Sequence, residues 1–338
     1  MSANRLPLWP LVLALLLLLA LSLPLASGFG PAPVAFSAAG KVLLHQLGLP
    51  VQPDWEAGQD LIVWQLRLPR VLLGGLVGAG LALVGAALQA ATRNQLADPH
   101  LLGVSSGATL GAVTVMLFSG NLLGALTLPL AAFAGALLAT LLVVAIAMRQ
   151  RRLQAERLLL SGVAVSFLLM ALANLLLYLG DQRSAAGVLF WMLGGLGQAR
   201  WELLPAPLAA LVLGLASLLA ASRPLNALMA GEQTAVTLGV NVGRLRLLVF
   251  AVSSLLTGAM VAVSGAIGFV GLMIPHIARR CVGADHRRLL PVCALLGALF
   301  LIWVDAAART LIAPEDIPAG VGTAAVGGVF FIWLLRRR

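Results

Sequence analysis

Apolar residues run along this chain in long unbroken blocks, at about 7–29, 68–92, 101–118, 122–148, 158–180, 187–221, 247–278, 289–308 and 317–335. A half-buried strand would alternate with period two, and such blocks do not. Their length is near or above the roughly 20 residues a helix needs to cross a bilayer. Lipid offers backbone groups no partner, so each block is expected to be helical. Two blocks exceed one span. The first, 187–221, is interrupted by Gly194, Gly195, Gly197 and the patch Arg200 to Glu202. The second, 247–278, carries Gly265, Gly268, Gly271 and Pro275, which predicts a span, a bend and a shorter span. The pattern predicts an all-α integral membrane protein of about ten transmembrane helices, a single domain over 1–338.

Composition agrees: 61% of residues are apolar and 10% charged, against about 25% charged in soluble domains. A net charge of +10 would suggest nucleic acid in a soluble protein, but the basic clusters sit between apolar blocks and read as topology. Loops on the cytoplasmic side carry the Lys/Arg excess. With ten helices, 16 of the 22 basic residues fall on one side, among them Arg93, Arg157, Arg244, Arg246, Arg279, Arg280, Arg287 and Arg288, while eight of the 12 acids fall on the other. Both termini are therefore expected in the cytoplasm. Arg5 precedes a leucine-rich run that could pass for a signal peptide, but with further spans behind it a retained first helix is expected. Cys281 and Cys293 have no metal-ligand spacing and read as packing residues.

A short pattern recurs. Gly78, Ala79, Ala82, Gly85 and Ala86 are matched by Gly258, Ala259, Ala262, Gly265 and Ala266 at an offset of 180 residues. In the predicted topology the two copies run in opposite directions, as in the inverted repeats of transporters. Small residues at such spacing also let helices approach closely.

Candidate chemistry is sparse. Lys41 is the sole lysine and no phosphate-binding loop is present, so any ATP would be bound by another subunit. His45, His100, His276 and His286 lie far apart, and no nucleophile triad or metal motif occurs. Neither an enzyme nor a resident cofactor or metal is expected. An ion-coupled carrier would place an ionisable group deep in a span; Asp305 is the nearest candidate, and Arg309 four residues on accounts for it as an ion pair. Arg67 and Arg70 oppose the charge bias on the outer side, and an acidic external partner would explain both. The segment 222–246, centred on Gly231 and Gly239, is the longest inner loop and reads as a surface for a cytoplasmic partner.

Several stretches together resemble the FecCD-type permeases of binding-protein-dependent importers for ferric siderophores, haem and cobalamin. They are Arg67 to Arg70, Gly78 to Gln89, Asn94 to Pro99, Leu102 to Ala108, Gly231 to Val240, Gly265 to His276 and Asp305 to Arg309. The resemblance implies a type II ABC importer permease fold in the bacterial inner membrane. It implies a second permease copy, identical or paralogous, two cytoplasmic ATPase subunits and a periplasmic or extracellular binding protein. By the same resemblance Arg67, Arg70 and Arg309 receive acidic residues of the binding protein. Leu228, Gly231, Glu232, Leu238 and Gly239 belong to the helices that couple to the ATPase, and Asn94, Leu96, Ala155 and Glu156 form the cytoplasmic gate. The gate departs from the family pattern: Gln95 stands where proline is usual, and Ala155 and Glu156 stand where small hydroxylated residues are common. A ferric siderophore is the expected cargo, with cobalamin or haem as the alternative.

Overall fold

A computed structural model describes residues 6–32, 34–99, 103–120, 122–148 and 155–336. All regular structure among them is helical: α1 (Leu8–Gly28), α2 (Phe36–Gln46), α3 (Gln59–Thr92), α4 (Val104–Ser119), α5 (Thr127–Ala147), α6 (Ala155–Leu179) and α7 (Gln182–Met192), then α8 (Pro205–Ala220), α9 (Ser222–Ala230), α10 (Glu232–Thr237), α11 (Val242–Ser264), α12 (Val270–Val282), α13 (His286–Ala308) and α14 (Ala319–Arg336). The ten expected membrane helices correspond to α1, α3, α4, α5, α6, α8 and α11 to α14. Seven are long and apolar enough to cross a bilayer, and α4, α12 and α14 are shorter.

The long block 187–221 parts as its glycines predict, α7 ending at Met192 and α8 beginning at Pro205. In the other, α11 ends where Gly265 takes φ 66°, and Phe269 at φ 68° precedes α12. Gly271 and Pro275 do not break the chain; both lie inside α12. A helical proline leaves the carbonyl four residues back without its donor, here that of Gly271. Gln89 Nε2 supplies the bond from α3 at 3.1 Å. Two features had no apolar block to announce them: α2, which mixes Lys41 and His45 with apolar residues, and the nine-residue extension of α3 back to Gln59, π-helical over Ile62–Arg67.

Helix α3 is the centre of the bundle, 83% of its apolar window buried. The repeated small-residue pattern explains how neighbours reach it. A Cβ on Gly78 would stand 2.1 Å from the Gly297 carbonyl oxygen of α13, and one on Gly297 would stand 2.3 Å from that of Gly78. In the second copy Gly258 of α11 lies against Ala136 and Phe133 of α5. The C-terminal end of α3 meets the start of α11, while Gly80 lies against Met260 further along, so the copies run in opposite directions. Away from this core, Phe167, Leu138 and Val329 are more than 60% exposed, an apolar perimeter that suits lipid or other membrane-embedded surfaces.

The bundle has two chemically different ends. At one, the Leu6 amide donates to the Cys281 carbonyl at 3.1 Å, and exposed arginines include Arg93, Arg223, Arg244, Arg280, Arg287 and Arg288. This is the Arg-rich end. The end of α1, the start of α3 and the α13–α14 connection form the opposite end. Arg5, Arg149, Arg151, Arg152, Arg337, Arg338 and His100 lie outside the described residues.

Candidate functional site

The opposite end gathers Arg67, Arg70 and Arg309. The last carbonyls of any helix lack intrahelical donors, and two of these arginines supply them to α1. Arg67 Nη1 donates to Ser27 O at 3.1 Å and Gly28 O at 2.9 Å, and its Nη2 donates to Ala32 O. Arg309 donates to Ala26 O at 3.2 Å and Phe29 O at 3.3 Å. The cations also suit the negative end of that helix dipole. Arg70 holds Asp305 through Nε and Nη2 and donates through Nη1 to Asp316 at 2.6 Å. The expected Asp305 and Arg309 pair is present at 3.1 Å.

These three arginines, read from sequence as facing an external acid, thus already hold internal partners, and Arg67 and Arg309 are buried. They nonetheless line one concavity of about 580 Å³ with Gly30, Pro31 and Asp316. Three guanidiniums and the Asp316 carboxylate line it, with Asp305 buried behind, so the concavity keeps a positive balance that suits an entering acid. Neither pair made by Arg70 was foreseen, since its partners lie 235 and 246 positions away.

At the Arg-rich end, α9 and α10 form a short angled pair. Leu225 and Leu228 are fully buried and seat α9 on the bundle. Gly231 separates the two helices at φ 139°, ψ 148°, and Gly239 turns the chain at φ 81°; other residues adopt positive φ only under strain. Val236 and Leu238 are exposed, making an apolar patch beside Glu232. Glu232 meets Arg246 of α11 through both carboxylate oxygens, at 3.2 and 2.8 Å. Asn226 of α9 donates to Asp285 at 2.7 Å and accepts the His286 amide at 2.9 Å. Burial pushes the Asp285 carboxyl upward, but the Asn226 hydrogen bond, the Arg287 amide and the charges of Arg287 and Arg288 outweigh it and hold the group below the usual carboxylate range. Sequence spacing pointed to the glycines and Glu232; it missed Arg246 and Asn226, whose partners come from separate elements.

The proposed gate residues occupy the same end. Arg93 takes φ 52° and ends α3. Asn94 Oδ1 then accepts the Leu96 amide at 2.9 Å, and the Leu96 side chain is exposed. Glu156 is exposed in the first turn of α6, where its charge suits the helix N-terminus. Ala155 opens α6, and its side chain lies outside the described residues. Among the described residues no three His, Cys, Asp or Glu side chains gather as a metal site requires.

Comparison with known proteins adds to this geometry. The family model of the FecCD transport family matches residues 13–337. A cobalamin import system permease of Halobacterium salinarum is 44% identical over 315 residues, 93% of this chain and 82% of that protein. A vitamin B12 import system permease of Salmonella typhimurium is 44% identical over 283 residues, 83% of this chain and 86% of that protein. A solved structure described as a metal-chelate type ABC transporter in an inward-facing conformation superimposes with a TM-score of 0.84 at 34% identity, covering 97% of this chain and 99% of that one. PsaBC from Streptococcus pneumoniae, at 13% identity and a TM-score of 0.53, shares the fold.

Proposed function

The chain belongs to the FecCD transport family of ABC importer permeases, and from that premise we propose that its cargo is cobalamin. The observation that carries this is 44% identity over 93% of the chain to a permease named for cobalamin import. It reverses the order expected from the family alone, in which a ferric siderophore came first. The structural neighbour named for metal chelates suits both, because cobalamin is itself a metal chelate, cobalt held in a corrin ring.

In this reading two permease copies enclose the path, two ATPase subunits dock at the Arg-rich end, and a binding protein docks at the opposite end. The Arg-rich end faces the cytoplasm, and both termini with it, in the bacterial inner membrane; the excess of basic residues supports this orientation. The apolar patch of Val236 and Leu238, flanked by Glu232, meets the ATPase. An acidic side chain of the binding protein enters the concavity of Arg67, Arg70 and Arg309. Asn94, Leu96, Ala155 and Glu156 close the inner mouth of the path. The protein moves cargo without making or breaking covalent bonds; ATP hydrolysis belongs to the partner subunits.

The test is uptake into vesicles holding the permease with its ATPase and binding protein. ATP-dependent uptake of labelled cyanocobalamin, not competed by a ferric siderophore or haem, is expected. Uptake of the ferric siderophore instead would overturn the cargo, and uptake driven by an ion gradient with no ATPase present would overturn the importer.

A further inference from the structure

We propose that Arg246 is the positioning residue that carries movement of α10 to the gate segment 93–98. This rests on the reading of 228–239 as the ATPase-facing surface. Arg246 is buried on α11, and its guanidinium joins that helix to two others. Two of its nitrogens grip Glu232 of α10, while Nε donates to Ala91 O of α3 at 3.3 Å. Ala91 lies in the last turn of α3, where carbonyls have no intrahelical donor. The Arg246 bond is therefore a helix cap supplied from another helix. Immediately beyond it Arg93 turns left-handed and the segment bearing Asn94 and Leu96 begins.

Helix α9 packs on both α3 and α13. Asn226 fastens it to Asp285 and His286 at the start of α13. Gly231, in a conformation open to glycine, stands between this tie and the Glu232 pair. A push on α10 is thus delivered through Arg246 to the end of α3, alongside the contact that α9 makes with α3. Only a planar fork can hold a carboxylate with two nitrogens and a carbonyl with a third; the single ammonium of lysine cannot.

A buried ion pair that merely holds the loop would look similar, and one variant separates the readings. In vesicles containing the ATPase and binding protein, Arg246→Lys keeps the charge beside Glu232 but loses the fork. It is expected to bind the ATPase and hydrolyse ATP while cyanocobalamin uptake per ATP falls about tenfold or more. Uptake per ATP at the unaltered level in this variant overturns the inference. No ATP-dependent uptake of any cargo by the unaltered protein would instead remove the importer reading, an outcome visible in that arm alone.

A second measurement leaves Arg246 untouched. With Cys281 and Cys293 replaced, spin labels at Gln233→Cys and Leu96→Cys should keep their separation when ATP and vanadate are added, while a pair at Gln233→Cys and Ala284→Cys changes. The reverse pattern overturns the relay.

Discussion

Arg70 and Asp305 stand 235 positions apart yet meet through two guanidinium nitrogens, Nε at 3.0 Å and Nη2 at 2.9 Å from one carboxylate oxygen. Arg309 reaches the other oxygen, so a single carboxylate with 1% exposure offsets two cations where α3 meets the end of α13. Removing one partner of a buried pair strands the other. Asp305→Ala is therefore expected to destabilise the detergent-solubilised protein by about 3–5 kcal/mol, read as a lowered thermal midpoint. A midpoint unchanged from the parent would show that the cluster holds nothing together.

Asp316 competes for the same arginine from a more exposed position, its side chain 35% accessible. Asp316→Asn removes a negative charge from the concavity while Arg70 keeps Asp305. If an acid of the binding protein enters there, this variant should bind it several-fold more tightly at low salt, with the gain shrinking as salt screens it. Equal affinity across salt would place the docking surface elsewhere.

Backbone contact between α3 and α13 leaves no room at Gly78. Gly78→Ala would set a methyl 2.1 Å from the Gly297 carbonyl oxygen, and forcing the helices apart should cost about 1–3 kcal/mol. Gly328→Ala, where an added Cβ meets nothing within 4 Å, serves as the control and should melt like the parent.

The patch on α10 is exposed, so charging it should spare the fold. The double variant Val236→Asp with Leu238→Asp is expected to insert and melt normally but to lose the ATPase on co-purification. Retention of the subunit would move the ATPase contact off this patch.

Asp285 makes the Asn226 clamp sensitive to acid. Its carboxyl sits below the ordinary range in the folded protein, so its contribution is full above the unfolded value of about 4 and is lost as pH falls through the lower folded one. The protection of the Arg287 amide against exchange, taken relative to the unfolded chain at the same pH, should therefore fall below about pH 4 in the parent. In Asp285→Asn that acid-dependent step should be missing, and its persistence would assign the step to another group.

The sequence alone determined the solvent and the membrane helices. Blocks too long and too apolar for water have one backbone solution in lipid, and arginines gather on one side of it. Glycine breaks at Gly194 and Gly265 could be placed because a missing Cβ acts locally. Likewise Asp305 with Arg309, one turn apart on the same stretch of chain, could be paired by spacing. What tertiary structure decided is who else stands at those places. Arg67 reads as an outward cation until the end of α1 brings four carbonyls to it and Arg309. Pro275 reads as a break until Gln89 of α3 supplies the missing donor. Arg246 reads as one more inner arginine until Glu232 and Ala91 converge on it. Each of these depends on a partner from a separate helix, and no local pattern encodes a partner that only packing brings near.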